Sequence, residues 1–257
     1  MSDLMDAHVR KIFFEVYDNL PRGGPGDALS TGRALAMASF LPDQPKILDI
    51  GCGPGMQTID LARTLPKAKI WAVDNHEPFI HRLALKAQAF QGRLIAQIGD
   101  MRQLEFPEAF FDLIWSEGAI YQMGFENGLK SWNPLLKNGG YMAVSEMVWL
   151  KKNPSYEVQL FWKGEYPEMS DVSTRLENIR ENGFEPCGYF TLSESAWYDN
   201  YYHPLMKRVA ELKCKYRMDA EALDILHELE QEEKIIGRNL ETCNYAFFVC
   251  RKTTINM

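Results

Sequence analysis

The sequence predicts an α/β fold built on a mostly parallel sheet with helices on both faces. Two observations predict it. From Lys46 onward, short β-rich runs alternate with segments whose apolar residues recur at helical spacing. The first run also ends in a glycine-rich elbow, Asp49-Ile50-Gly51-Cys52-Gly53-Pro54-Gly55, as a strand does when it turns directly into a helix. Such alternation implies right-handed crossovers and a sheet covered on both sides.

Residues 1–45 precede this pattern and read as a helical cap. They hold an amphipathic helix over Val9–Leu20, a Gly/Pro loop over Pro21–Gly26 and a second helix over Ala28–Phe40. Strands follow at Lys46–Ile50, Ile70–Asp74, Arg93–Ile98, Phe111–Ser116 and Gly140–Glu146. Helical patterns at Met56–Leu65 and Pro78–Phe90 lie between them. A helix over Val172–Asn182 stops at Asn182-Gly183. Cys187–Leu192 reads as a strand, Tyr202–Gly237 as helical and rich in charge, and Asn244–Arg251 as a closing strand of aromatic and β-branched residues. The count is seven strands, with a helical insertion before the last.

The organisation is one domain, with a core over 46–192 and 244–252 and substrate-side insertions at 149–169 and 197–242. The first insertion reads as irregular and carries Trp149, Tyr156, Phe161, Trp162 and Tyr166. Aromatic excursions from an α/β core build substrate walls, although core packed under a loop has the same composition.

Composition narrows the function classes. Hydrophobic residues make up 46 % and charged residues 25 % of the 257, as in an ordinary globular protein that needs no disulfide or metal staple. Five cysteines, Cys52, Cys187, Cys214, Cys243 and Cys250, are scattered without a CxxC pair, which favours a reducing compartment and argues against structural zinc. The net charge of -7 comes without a dense Lys/Arg cluster, so nucleic acid is not an expected partner. The N-terminal stretch MSDLMDAHVRKIFF is acidic where a signal peptide is basic, and no run approaches the roughly 18 apolar residues of a membrane span. A cytoplasmic protein without a membrane partner is expected.

The chemistry is concentrated at strand ends. The elbow after the first strand follows Asp49; its glycines let a ligand approach the backbone, and the next helix offers free N–H groups and a positive dipole end. Asp74 ends the second strand, where a carboxylate can accept both hydroxyls of a ribose cis-diol. Asp100 follows the third strand, suitably placed for an adenine amino group, and the fourth runs through Ser116 into Glu117-Gly118. Any one of these is compatible with a solvated strand end. Four in order at βα spacing mark a ligand edge at the carboxyl ends of the strands.

These segments resemble the ordered motifs of class I S-adenosylmethionine-dependent methyltransferases, from about Pro45 to Glu146, including the turn Leu136-Lys137-Asn138-Gly139-Gly140. The likeness is to the small-molecule branch, near the ubiquinone/menaquinone C-methyltransferases. It implies a Rossmann-like seven-stranded sheet whose last strand is antiparallel and inserts beside the fifth. It also implies roles. Gly51, Cys52 and Gly53 would pack against the methionine part of S-adenosylmethionine, and Asp49 would orient that loop or act through water. Asp74 would hold the ribose with Asn75 beside it, while Asp100 and the Met101 backbone would meet the adenine. Glu117 and Gly118 would line the methyl-donor side, with Tyr121 close to the sulfonium. Tyr17, Tyr121 and the Trp197–Tyr202 cluster are candidates for an aromatic cage around that cation.

The rival for the elbow is a nicotinamide or flavin site, but Met56 stands where the GxGxxG fingerprint has its third glycine. A nucleic-acid or protein methyltransferase would be expected to carry a basic groove or an added recognition domain. Methyl transfer is an in-line displacement, for which a general base helps only some acceptors. Three bases are candidates: Glu117, Glu146 and His203. The first is as readily a hydrogen-bond acceptor without proton chemistry, the second as readily a helix cap, and a lone histidine is more often structural. The expected partners are a small-molecule acceptor and, for a homodimer, a second copy of the chain. A catalytically silent, cofactor-binding regulatory subunit would carry the same cofactor motifs.

Overall fold

The computed structural model describes residues 7–253. The first six residues of the expected N-terminal cap lie outside the described residues. Helices α1 (Ala7–Tyr17) and α2 (Ala28–Met37) lead into β1 (Lys46–Ile50), α3 (Met56–Thr64), β2 (Lys69–Asp74), α4 (Glu77–Ala87) and β3 (Leu94–Ile98). Then come β4 (Phe111–Glu117), α5 (Phe125–Trp132), β5 (Leu136–Trp149), α6 (Tyr156–Glu165), the two-residue β6 (Ser170–Asp171), α7 (Val172–Glu181) and β7 (Phe184–Thr191). The short α8 (Glu194–Trp197) runs through a π-turn at Tyr198–Tyr202 into α9 (His203–Lys215), followed by α10 (Ala220–Gly237) and β8 (Cys243–Lys252).

The strands form one sheet in the order β3-β2-β1-β4-β5-β8-β7, with β6 attached to β5. Pairings from β3 through to β5 are parallel. Strand β8 inserts antiparallel between β5 and β7, opposing Tyr141 with Arg251 at one end and Trp149 with Cys243 at the other. This is the expected Rossmann-like sheet with its antiparallel last strand.

The period of two in the buried strands splits the core into two layers. Ile47, Leu113, Trp115, Ala143 and Phe247 face one layer, which is covered by α1–α4, α9 and α10. Leu48, Ile114, Met142, Val144 and Phe248 face the other, covered by α5 and α7. Among the described residues, no helix is long and apolar enough to cross a membrane.

Three local expectations differ from the structure. Residues 149–169 contain a regular helix, α6, yet only Val158 of it is buried, so its sequence shows no clear apolar stripe. The helical stretch expected over Tyr202–Gly237 consists of two helices with a break after Lys215, where Asp219 caps α10 by accepting the Ala222 N–H at 3.1 Å. Among the described residues strands number eight rather than seven, because Ser170 and Asp171 pair with the end of a β5 that runs well past Glu146.

Candidate functional site

The parallel strands bring Asp100, Asp74, the glycine elbow and Glu117 to neighbouring positions along one edge of the sheet. Strand β1 lies between β2 and β4, and Asp74 is in register with Ile98, two residues before Asp100. In the elbow, the Gly51 and Cys52 N–H groups donate to the Val73 carbonyl at 2.8 and 3.0 Å. Gly51 has φ of 67°, and a Cβ there would come within 2.5 Å of the Ala119 Cβ. Gly55, at φ of 82°, starts α3, and a Cβ on it would run into Leu83 of α4. Both positions therefore need glycine for backbone angle and for space. At Gly53 a Cβ would meet only the Gly23 nitrogen, 3.9 Å away, so the elbow is open on that side.

The acids are held differently. Asp49 is fully buried and accepts from the Thr58 hydroxyl at 2.5 Å, while its Oδ1 has no hydrogen-bond partner. Burial pushes its carboxyl up to about 7, with the neighbouring Glu117 adding to the rise and the Thr58 bond opposing it. Asp74 accepts the Gly53 N–H at 2.8 Å and the His76 N–H at 2.9 Å, so it clamps the elbow to the start of α4. Burial raises its pKa, and those N–H bonds counter the rise. Asn75 is exposed beside it. Asp100 is also exposed and accepts the Arg102 N–H at 2.8 Å. The half-buried Met101 offers its carbonyl to Trp132 Nε1 at 3.1 Å. A cleft of about 180 Å³ adjoins this end, walled by Val73, Ile98, Gly99, Leu104 and Phe106. The Cys52 thiol is pushed well up by burial and by Asp49 and Asp74, and stays neutral.

Glu117 is the most heavily engaged acid. Its Oε2 accepts from Arg22 Nη1 at 2.6 Å, and its Oε1 accepts from the Thr31 hydroxyl and Trp115 Nε1, each at 2.9 Å. The side chains of Arg22 and Glu117 are only 3 % and 5 % exposed, so this is a buried ion pair joining the N-terminal loop to β4. Arg22 Nε and Nη2 have no hydrogen-bond partners; the nearest further acid, Asp60, is 4.0 Å from Nη2. A Cβ on Gly26 would collide with the Arg22 guanidinium, which explains the glycine. The loop is tied down on its other side by the Gly26 N–H to the Ala196 carbonyl at 3.0 Å. Helix α1 is fixed to the end of β2 by His76 Nε2 and Asp18 at 2.8 Å and by stacking of Phe14 on His76, with ring centroids 3.9 Å apart.

The remaining candidates fall into two places. Gly118 donates its N–H to the Ser145 hydroxyl at 2.8 Å. Tyr121 packs edgewise on Tyr166, and Tyr17 is buried against Phe13. Glu146 is wholly buried; burial pushes its carboxyl up to about 7, opposed by the Tyr166 hydroxyl and by Arg175, whose Nη2 lies 3.5 Å away. Trp197, Tyr201 and Tyr202 form a buried aromatic wall. His203 follows them on α9 but is exposed, with its ring against Tyr198.

Sequence reasoning missed Arg22, Thr31 and Arg175. The Arg22 loop reads from its glycines as a lid hinge over the cofactor, or else a simple interhelix turn, and nothing in that reading gives Arg22 a buried partner. Arg175 donates to the Tyr166 hydroxyl at 3.1 Å and to the Glu168 carbonyl at 2.7 Å, a tertiary cluster with no sequence spacing to betray it.

Comparison with known proteins agrees with this geometry. Residues 47–140 match the family model of a methyltransferase domain. Malonyl-acyl-carrier-protein O-methyltransferase of Herminiimonas arsenicoxydans is 31 % identical over 117 residues, covering 45 % of this chain and 43 % of that protein. The chain spans less than two thirds of the length of the curated relatives it matches first. Among solved structures, YjhP from E. coli superposes with a TM-score of 0.81 at 17 % identity, covering 94 % of this chain and 99 % of that one. A methyltransferase from Geobacter sulfurreducens, solved with S-adenosyl-L-homocysteine, gives 0.79 at 16 %, covering 94 % and 98 %. The molecule therefore has the Rossmann-like methyltransferase fold, and its residues 47–140, from β1 to the start of β5, match the methyltransferase-domain family.

Proposed function

We propose that the protein transfers a methyl group from S-adenosylmethionine to a small-molecule acceptor. The observation that carries this reading is the open glycine elbow flanked by Asp49, Asp74 and Asp100 on adjacent strands, with buried polar atoms at Asp49 Oδ1 and on Arg22 that have no partner within the protein. Those atoms fit a ligand carrying both an ammonium and a carboxylate: the acid suits the first and the guanidinium the second.

When bound, the cofactor supplies an activated methyl group on a sulfonium. The residues of the chain would hold it in place. Gly51 and Gly53 leave room for the amino-acid part, and Asp74, already fixed by two N–H bonds, keeps lone pairs for the ribose. Asp100 and the Met101 backbone border the adenine end. Glu117 acts through Arg22 and Thr31 as a positioning residue that keeps the N-terminal loop over the elbow. Its oxygens are taken up by three donors, so proton chemistry falls to other groups. His203, exposed on α9, has no part in this reading. Alignment and exclusion of water do most of the catalytic work, as displacement at an activated carbon needs little else.

Calorimetric titration with S-adenosylhomocysteine tests the reading. Saturable one-site binding is expected, and Asp74→Ala should weaken it at least about tenfold, or 1.4 kcal/mol. No binding to the parent protein, or an unchanged affinity in the variant, overturns it. Transfer of labelled methyl groups to a pool of small metabolites then separates an enzyme from a silent subunit.

A further inference from the structure

The end of the sheet opposite the glycine elbow carries a second concavity. Two Leu-Pro dipeptides wall it, Leu41-Pro42 before β1 and Leu65-Pro66 before β2. Each is followed by a charge, Asp43 and Lys67, and these complete the rim of a cavity of about 250 Å³. The parallel pairing of β1 with β2, which sets Lys46 opposite Lys69, brings the two segments side by side. Proline fixes the backbone angle of each wall, so the cavity exists before anything fills it. It is smaller than the roughly 300–1,000 Å³ of small-molecule sites, and its charged groups stand only at the rim. It is a socket for one large apolar side chain.

A side chain of that kind stands beside it. Phe40, one residue before Leu41, is 75 % exposed. The Arg251 guanidinium lies 5.6 Å from its ring centroid, and Arg251 is fixed in turn by donating its Nε–H to the Gly139 carbonyl at 2.9 Å. Arg251 belongs to β8, three places from β1 in the sheet, so the ring leans away from the socket of its own chain. A knob and a socket on one surface, neither used by the chain that carries them, match a two-fold contact, in which a patch meets its own copy. The charges fit the same operation. Lys67 donates to the two Asp43 oxygens at 2.9 and 2.7 Å, with side chains 60 % and 73 % exposed. An exposed pair of this kind adds little to a single chain. An acid and a base side by side are, however, complementary to their own rotated image.

We infer that the chain forms a two-fold homodimer through this end, with Phe40 of each copy seated in the Leu-Pro socket of the other and Asp43 facing the partner's Lys67. Aromatic anchors in preformed pockets carry most of the energy of such contacts, and charges at the rim set pairing and association rate. The interface lies at the amino ends of β1 and β2, whereas the glycine elbow follows the carboxyl end of β1. Both elbows therefore stay open in the dimer, and the inference stands apart from the methyltransferase reading.

Sedimentation velocity over a range of concentrations tests this on the full chain, with circular dichroism to establish that each variant is folded. The parent should show a monomer–dimer equilibrium in the micromolar range. Phe40→Ala should weaken it at least about tenfold. Asp43→Lys and Lys67→Asp should each weaken self-association, because each leaves two like charges at the rim. Mixing the two variants should restore association as a heterodimer, in which every acid again faces a base; a bridge confined to one chain gains nothing from mixing. A parent that stays monomeric at high micromolar concentration overturns the inference and leaves the socket to a different partner. A dimer unaltered by Phe40→Ala, or a mixture of the charge variants that associates no better than either alone, also overturns it.

Discussion

Replacing Glu117 by glutamine removes one charge and changes almost nothing in volume, which isolates the buried pair with Arg22. In the parent, Oε2 takes the 2.6 Å bond from Arg22, and Oε1 takes those from Thr31 and Trp115. A glutamine that keeps its oxygen toward Thr31 and Trp115 turns its NH2 toward the guanidinium, donor against donor. Flipping the amide moves the same conflict to Trp115, whose indole N–H can only donate. The guanidinium, 3 % exposed, is then left with Asp60 at 4.0 Å as its nearest acid. Breaking a buried pair from one side costs about 3–5 kcal/mol, and Asp60 puts this case near 3. For a chain of this size that is a fall in Tm of roughly 6–12 °C. Adding Arg22→Met should return at least half of the loss, because the orphaned charge goes with it. Denaturant and thermal unfolding of both single variants and the double variant give the cycle. A cost below about 1 kcal/mol for Glu117→Gln, as for an exposed pair, or no recovery in the double variant, would refute the buried-pair account.

Three further variants concern stability. Burial raises the Glu146 carboxyl to about 7, well above the ordinary glutamate range, so between the two the folded protein keeps a proton that the unfolded chain releases. Its contribution to stability is fully present at low pH and is lost as pH rises through 7. Glu146→Gln should therefore gain stability relative to the parent between pH 5 and pH 8, measured by denaturant unfolding; parallel curves would mean that Glu146 is ionised throughout. Gly55→Ala, which places a Cβ against Leu83 at a left-handed backbone position, should cost about 2–4 kcal/mol. Gly164→Ala in α6, where a Cβ meets nothing within 4 Å, should gain up to about 1 kcal/mol. Equal effects at the two glycines would sink the steric argument.

The sheet edge was legible because its signals are local. A strand ending in an acid, then glycine, is written in consecutive residues, and the strand order along the chain places Asp49, Asp74, Asp100 and Glu117 side by side. What those acids hold was not legible. Arg22 and Glu117 are 95 residues apart, and nothing in either segment announces the other. The bonds from the Gly53 and His76 N–H groups to Asp74 depend on how the elbow and the start of α4 fold back on it, which no local signal announces. The Trp197–Tyr202 run reads as a candidate cage for a cation, and only the fold shows that Glu232, from a helix that reads as merely charged, meets Tyr202 there. Helix α6 escaped notice because its aromatic side chains are mostly exposed or half-buried and trace no single face.

The antiparallel insertion of β8 has a consequence for biosynthesis. Strand β8 separates β5 from β7, so until residues 243–252 have left the ribosome, β7 is cut off from the rest of the sheet. Both flanking strands then present bare hydrogen-bonding edges, the kind of surface on which nascent chains stick to one another. A stalled or truncated product would thus be insoluble before it was merely inactive, and the parallel half of the sheet, complete by residue 149, would be the part able to wait.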